Sequence, residues 1–173
     1  MVSSSATRNK IRLNKVNVLI VDDDRAISNL IKNVLGKLGF SNITVVHNAK
    51  DGLRILEERA IDLMITDWEM DPISGVELTQ MIRRMDSPKR FMPIIMLTGH
   101  GEKSEIELAR DCGITEYLIK PFTAKTLCSR IMMVVESPRS FILSPGYKGP
   151  SRRRRSSEPP EGLERRKKRE EDK

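Results

Sequence analysis

Val16-Asn17-Val18-Leu19-Ile20-Val21 runs straight into Asp22-Asp23-Asp24, and Ile27, Leu30, Ile31, Val34, Leu35 and Leu38 then follow at i, i+3, i+4, i+7, i+8 and i+11. The apolar run has the length of a buried strand. The spacing after it lays one apolar stripe along an α-helix, with Asp24 placed to cap its start and Gly39 to stop it. The alternation recurs four times, with strands expected at 43–46, 61–66, 93–98 and 115–119, each followed by a helix, near 49–59, 75–85, 103–112 and 123–136. Five strands alternating with five helices, the central strands apolar almost throughout, predict an α/β fold with a parallel sheet buried on both faces. Right-handed crossovers over about 120 residues restrict this to a small doubly wound sheet.

The whole chain has 173 residues, 38% hydrophobic and 32% charged, which suits one domain with extensions better than two domains. Its apolar runs are far shorter than the roughly 20 residues of a membrane span. The N-terminus lacks the apolar stretch of a secretory signal, and Cys112 and Cys128 stand 16 residues apart without metal-type spacing. A reducing cytoplasm is therefore expected. The net charge of +7 suggests a nucleic-acid binder until it is located: residues 1–15 carry +4, residues 144–173 carry +5, and the segment between carries −2. The expected organisation is a basic N-terminal arm (1–15), a folded domain (16–143) and a disordered arginine-rich tail (144–173), whose two basic runs lie at 152–155 and 165–169.

In doubly wound sheets ligands sit beyond the carboxyl ends of the strands. There the sequence places Asp22 and Asp23 after the first strand, Asp67 after the third, Thr98 after the fourth and Lys120 after the fifth. Three converging carboxylates repel unless a hard cation neutralises them, and Mg²⁺ fits because it takes one or two carboxylates and leaves positions for phosphoryl oxygens. Lys120 and Thr98 would meet the other phosphoryl oxygens, which gives Asp67 the role of nucleophile in forming an aspartyl phosphate.

Residues 16–136 resemble a CheY-like response-regulator receiver domain. The resemblance rests on Leu-Ile-Val-Asp22-Asp23, on Ile-Thr-Asp67-Trp-Glu-Met with Gly75 eight residues on, on Leu-Thr98-Gly, and on Glu-Tyr117-Leu-Ile-Lys120-Pro121-Phe122. It implies a flavodoxin-like strand order, 2-1-3-4-5, with Asp67 as phosphoacceptor. It also implies Mg²⁺ on Asp23, Asp67 and the main-chain carbonyl of Glu69, with Asp22 acting through water. Thr98 and Tyr117 match the switch pair, Lys120 the phosphate-binding lysine, and the Lys120–Pro121 bond is expected cis. The implied protein is a stand-alone module that takes its phosphoryl group from a histidine kinase or a histidine phosphotransfer protein. Its output would leave through the fourth helix, fifth strand and fifth helix to a downstream protein.

Two departures bear on the phosphoryl lifetime. Met70-Asp71-Pro72 moves the usual proline one place, and Glu69 and His100 occupy positions that tune lifetime in the family. Two other readings compete. An aspartate-based phosphohydrolase would use the same Asp, Thr and Lys, but Glu69 only approximates its second aspartate and no cap insertion is present. Alternatively the receiver regulates nucleic-acid binding by the basic tail, since arginine forks suit phosphate groups. His47 reads as a partly buried strand-end residue, Trp68 as a pocket-edge residue, and both cysteines as core packing.

Overall fold

A computed structural model describes residues 12–99, 101–144 and 147–151. Five strands, β1 (Asn17–Val21), β2 (Asn42–Val46), β3 (Leu63–Asp67), β4 (Ile94–Thr98) and β5 (Glu116–Ile119), form one parallel sheet in the order β2-β1-β3-β4-β5. The helices are α1 (Arg25–Leu38), α2 (Ala49–Glu58), α3 (Gly75–Arg84), α4 (Lys103–Asp111) and α5 (Ala124–Glu136). Side chains alternate across each strand, so the apolar runs feed two cores. Leu19, Met64 and Met96 meet α2, α3 and the end of α4 on one face. Val18, Ile20, Ile65 and Leu97 meet α1 and α5 on the other.

Local chemistry sets the helix starts. Asp24 accepts from the main-chain N–H groups of Ala26 at 2.7 Å and Ile27 at 3.2 Å, as its position before the apolar stripe predicts. Ser74 and Glu77 form a reciprocal capping box on α3. By contrast α4 has no side-chain cap and buries little beyond Ala109, so it is the most loosely held of the five.

The structure corrects the sequence reading past residue 143. Strands β6 (Phe141–Ser144) and β7 (Tyr147–Pro150) pair as an antiparallel hairpin, so the region read as disordered from 144 contains ordered backbone to Ser151. This segment is too polar to build a core of its own and instead borrows one. Phe141 meets Phe91 edge-on, ring centroids 5.0 Å apart, and lies 5.2 Å from the guanidinium of Arg83. Arg83 itself is buried and donates to the carbonyls of Gly113 at 2.9 Å and Arg90 at 2.8 Å. The chain is closed at Ser151, whose N–H donates to Ser140 at 2.7 Å. Residues 1–11 and 152–173, with most of both basic arms, lie outside the described residues. At the near end of the N-terminal arm a 3₁₀ turn, Leu13–Lys15, sets Leu13 against the α1/α5 core.

Gly113, at φ +92°, is where β7 crosses the α4–β5 turn, and a Cβ there would stand 2.5 Å from the Lys148 carbonyl oxygen. Gly113→Ala is expected to lower stability by about 1–3 kcal/mol in urea denaturation, from backbone strain and lost docking together. Gly36→Ala, inside α1 where a Cβ meets nothing within 4 Å, is the control and should stabilise by about 0.5–1 kcal/mol.

Candidate functional site

Strand register decides which side chains share the carboxyl rim of the sheet. Val21 pairs with Val46 on one side and Thr66 on the other, Asp67 pairs with Leu97, and Thr98 with Ile119. The residues that follow β1 and end β3 and β4 therefore come out side by side. Asp22, Asp23 and Asp67 each offer a carboxylate oxygen, all within 4.8 Å of one another. Lys120 reaches over from the end of β5 and places Nζ 2.8 Å from Asp67 Oδ1. That oxygen also accepts the Trp68 N–H at 2.8 Å, which fixes the orientation of the carboxylate.

The electrostatics are strained on purpose-built ground. Asp22 is fully buried, and burial pushes its carboxyl up to about 6, with the neighbouring charges of Asp67 and Asp23 adding to the rise. The Asp24 N–H, which donates to Asp22 Oδ1 at 2.9 Å, and the more distant Lys120 pull the other way without prevailing. Asp67 is also raised, by burial first, against the hydrogen bond and charge of Lys120. Asp22 Oδ2 is buried and has no hydrogen-bond partner among the described residues. An orphaned carboxylate oxygen inside an all-oxygen cluster is the donor chemistry of a hard cation site.

The other expected site residues are placed as follows. Thr98 is 2% exposed at the end of β4, and its carbonyl accepts the Lys120 N–H at 2.7 Å. Tyr117 is half-buried against the α2/α3/α4 core; its register partner is Met96, so it projects from the same sheet face as Thr98. Glu69 is exposed beside the cluster, and His100 lies outside the described residues. The Lys120–Pro121 bond is cis, and so is Asp71–Pro72.

Two supports were not read from the sequence. His47 brings Nδ1 to 2.9 Å from the Asp22 carbonyl oxygen; the signal was its place after β2, next to β1 in the sheet. Gly75 donates to the Trp68 carbonyl at 2.9 Å, and a Cβ there would overlap the Asp67 carbonyl. Only glycine lets α3 start this close beneath the end of β3.

Residues 18–132 match the family model of the response regulator receiver domain. The chain is 34% identical over 125 residues to "Chemotaxis protein CheY-3" of Vibrio cholerae, covering 72% of this chain and 95% of that protein. It is 33% identical over 119 residues to "Chemotaxis protein CheY" of Pseudomonas aeruginosa, covering 69% and 95%. Among solved structures it is similar to the chemotaxis response regulator CheY4 of Vibrio cholerae, with a TM-score of 0.65 at 28% identity over 69% of this chain and 98% of that one. No described helix is long and apolar enough to cross a membrane.

Because the folded state holds the Asp22 proton up to about pH 6 while the unfolded chain releases it near the ordinary 3.8, stability falls as pH rises through that window. The deficit persists at neutral pH in cation-free buffer. Asp22→Asn, which keeps an acceptor for the Asp24 N–H, is expected to raise stability there by about 2 kcal/mol. The gain should vanish when the same urea titration is run below the ordinary carboxylate range.

Proposed function

The chain belongs to the response regulator receiver family, and on that premise we propose that it accepts a phosphoryl group on Asp67 from a histidine kinase or a histidine phosphotransfer protein. The observation that carries this reading is the contact of Lys120 Nζ with Asp67 Oδ1 beside the two other carboxylates, on one rim. A carboxylate oxygen of Asp67 attacks the phosphorus, the P–N bond to the donor imidazole breaks, and an acyl phosphate remains on the chain. Lys120 then pairs with the incoming phosphoryl oxygens, and the Thr98 hydroxyl lies on the same rim to donate to another.

The cluster fits Mg²⁺, with Asp23, Asp67 and the main-chain carbonyl of Glu69 as ligands and Asp22 acting through water. Bound there, the cation supplies charge neutralisation for the carboxylates and the phosphoryl group. The exposed Glu69 carboxylate beside the site, with His100, tunes the lifetime of the acyl phosphate. Turnover of small phosphate esters is not favoured, since the relatives are chemotaxis response regulators and Glu69 is a poor substitute for the hydrolases' second aspartate. The free thiols of Cys112 and Cys128 suit a reducing cytoplasm.

Output is assigned to the face of α4, β5 and α5, as a docking site for a downstream protein. Movement of Thr98 towards the phosphoryl group vacates space on the sheet face it shares with Tyr117. The loosely held α4 offers little resistance, and Leu108 and Ile119 expose apolar surface at 51% and 40%. The phosphorylated and free forms are then two populations of one equilibrium.

Acetyl phosphate with Mg²⁺ is expected to add one phosphoryl group by mass spectrometry, and none to Asp67→Asn; equal labelling of that variant sinks the assignment. Asp23→Ala should abolish the Mg²⁺ response of Trp68 fluorescence, the chain's sole tryptophan, while leaving the circular dichroism of the fold intact. Amide NMR shifts on phosphorylation are expected at Tyr117 and along 109–112 as well as around Asp67. Shifts confined to the pocket would count against the α4–β5–α5 route.

A further inference from the structure

The hairpin β6–β7 lies across one end of the domain and is tied to it at three places. Phe141 lies against the Arg83 guanidinium and meets Phe91 edge-on, which fixes the hairpin to the end of α3. Gly149 lies against Gly113 in the α4–β5 turn, so closely that a Cβ on Gly149 would stand 2.7 Å from Gly113 Cα. From the linker between α5 and β6, Arg139 Nη2 reaches Glu116 Oε2 at 3.5 Å, where Arg130 Nη1 of α5 holds Oε1 at 3.5 Å. Glu116 is buried, and its Oε1 also accepts the N–H of Tyr117 at 3.3 Å. The hairpin thus grips both ends of the segment that joins α4 to β5, and its ionic contact is made one residue from Tyr117.

These contacts read position without slack. Two glycines back to back leave no side chain to adjust, so a shift of the α4 end by about an ångström either collides with the hairpin or parts from it. Arg83 Nε donates to the Gly113 carbonyl at 2.9 Å, so the turn is held between α3 and β7. The grip is also only narrowly favourable. The hairpin closes over Arg83, whose guanidinium burial pulls down to about 10 and whose Nη2 has no hydrogen-bond partner among the described residues. Ile142 and Leu143 stay exposed, and a two-stranded hairpin on its own is marginal in water, so undocking costs little and melts the ladder. A strap of this kind both senses and biases the position of what it grips.

On the receiver reading of Asp67, we propose that the hairpin is a built-in restraint on output: docked, it holds the α4–β5 segment in the resting arrangement, and phosphorylation of Asp67 releases it. The docked hairpin coexists with Lys120 Nζ seated on the Asp67 carboxylate, the arrangement from which phosphoryl transfer starts. Movement through Thr98 and Tyr117 reaches Glu116 by way of the Tyr117 N–H, and Gly113 by way of the end of α4. Those are the two points that the hairpin grips. Because docking and phosphorylation act on one equilibrium, whatever loosens the hairpin also favours the phosphorylated arrangement.

The test follows the full chain by amide hydrogen exchange, with and without acetyl phosphate and Mg²⁺. Exchange along β6 and β7 is expected to run about five- to tenfold faster in the phosphorylated form, while that of Val18–Val21 in the core stays the same. Arg139→Gln, which leaves Glu116 its Arg130 partner, and Gly149→Ala, which drives a Cβ towards Gly113, each loosen the hairpin without touching the pocket. In both variants, unphosphorylated, the NMR amide shifts of Thr98 and Lys120 should move part of the way to their phosphorylated positions. Arg139→Gln alone decides where Gly149→Ala does not fold. Equal hairpin exchange in the free and phosphorylated forms, or Thr98 and Lys120 amides unmoved in the folded variants, would overturn the restraint and leave the receiver reading standing. A parent chain that takes no phosphoryl group would overturn the receiver reading, and the restraint with it.

Discussion

Three carboxylates crowded at the ends of adjacent strands are the constraint on which the rest of the site depends. Two like charges within 4.8 Å repel by about 3 kcal/mol even at an effective dielectric constant near 20, and Asp22 bears this while fully buried. The fold tolerates the cluster because other groups are aimed at it. Lys120 and the Trp68 N–H converge on Asp67, and the Asp24 N–H supports Asp22. None of these satisfies Asp22 Oδ2. The cluster is thus an unfavourable arrangement that a bound cation would relieve, and such an arrangement can drive a change of state on binding.

Holding that cluster in place is a backbone task more than a side-chain one. Gly75 brings the start of α3 against the Asp67 carbonyl, so Asp67 is pinned from below by a helix terminus. His47 does the same for the Asp22 carbonyl from the neighbouring strand. Both contacts bear on the main-chain carbonyls of the clustered aspartates themselves, which holds the site firmly on the β1–β3 side. The β4–β5 side is different, since α4 is uncapped by a side chain and scarcely buried. Rigidity where charge must be positioned and looseness where a signal must leave is a consistent division for the proposed switch.

What was legible in the sequence followed from periodicity and from convergence. The strand Val18-Leu19-Ile20-Val21 and the i, i+3, i+4 stripe of α1 specify their own secondary structure, and the five polar residues at strand ends become one site as soon as the strands are parallel. The hairpin was not legible because its stability is not local. Tyr147-Lys148-Gly149-Pro150 has no strand pattern; it is ordered by Phe141 on Arg83 and by Gly149 lying against Gly113, partners 58 and 36 residues apart in sequence. Polar composition predicted disorder on the assumption that a segment must bury its own surface, and here the folded domain supplies the surface. His47 escaped for a related reason, since its contact depends on strand order, which a residue-by-residue reading does not contain.

Chain topology also explains why the net charge of +7 is a poor guide to what this surface can bind. In a parallel α/β sheet every strand-to-helix connection falls at one end and every helix-to-strand connection at the other. Acidic residues concentrated in the first set, and basic ones in the second, become two poles without any long run of like charge in the folded part of the sequence. The acidic pole holds the carboxylate cluster, and its charge repels polyanions. The described chain also enters and leaves at the basic end, because β1 starts there and α5 finishes there. The hairpin keeps the described chain on that end as far as Ser151, through Phe141 on Arg83 and Gly149 against Gly113.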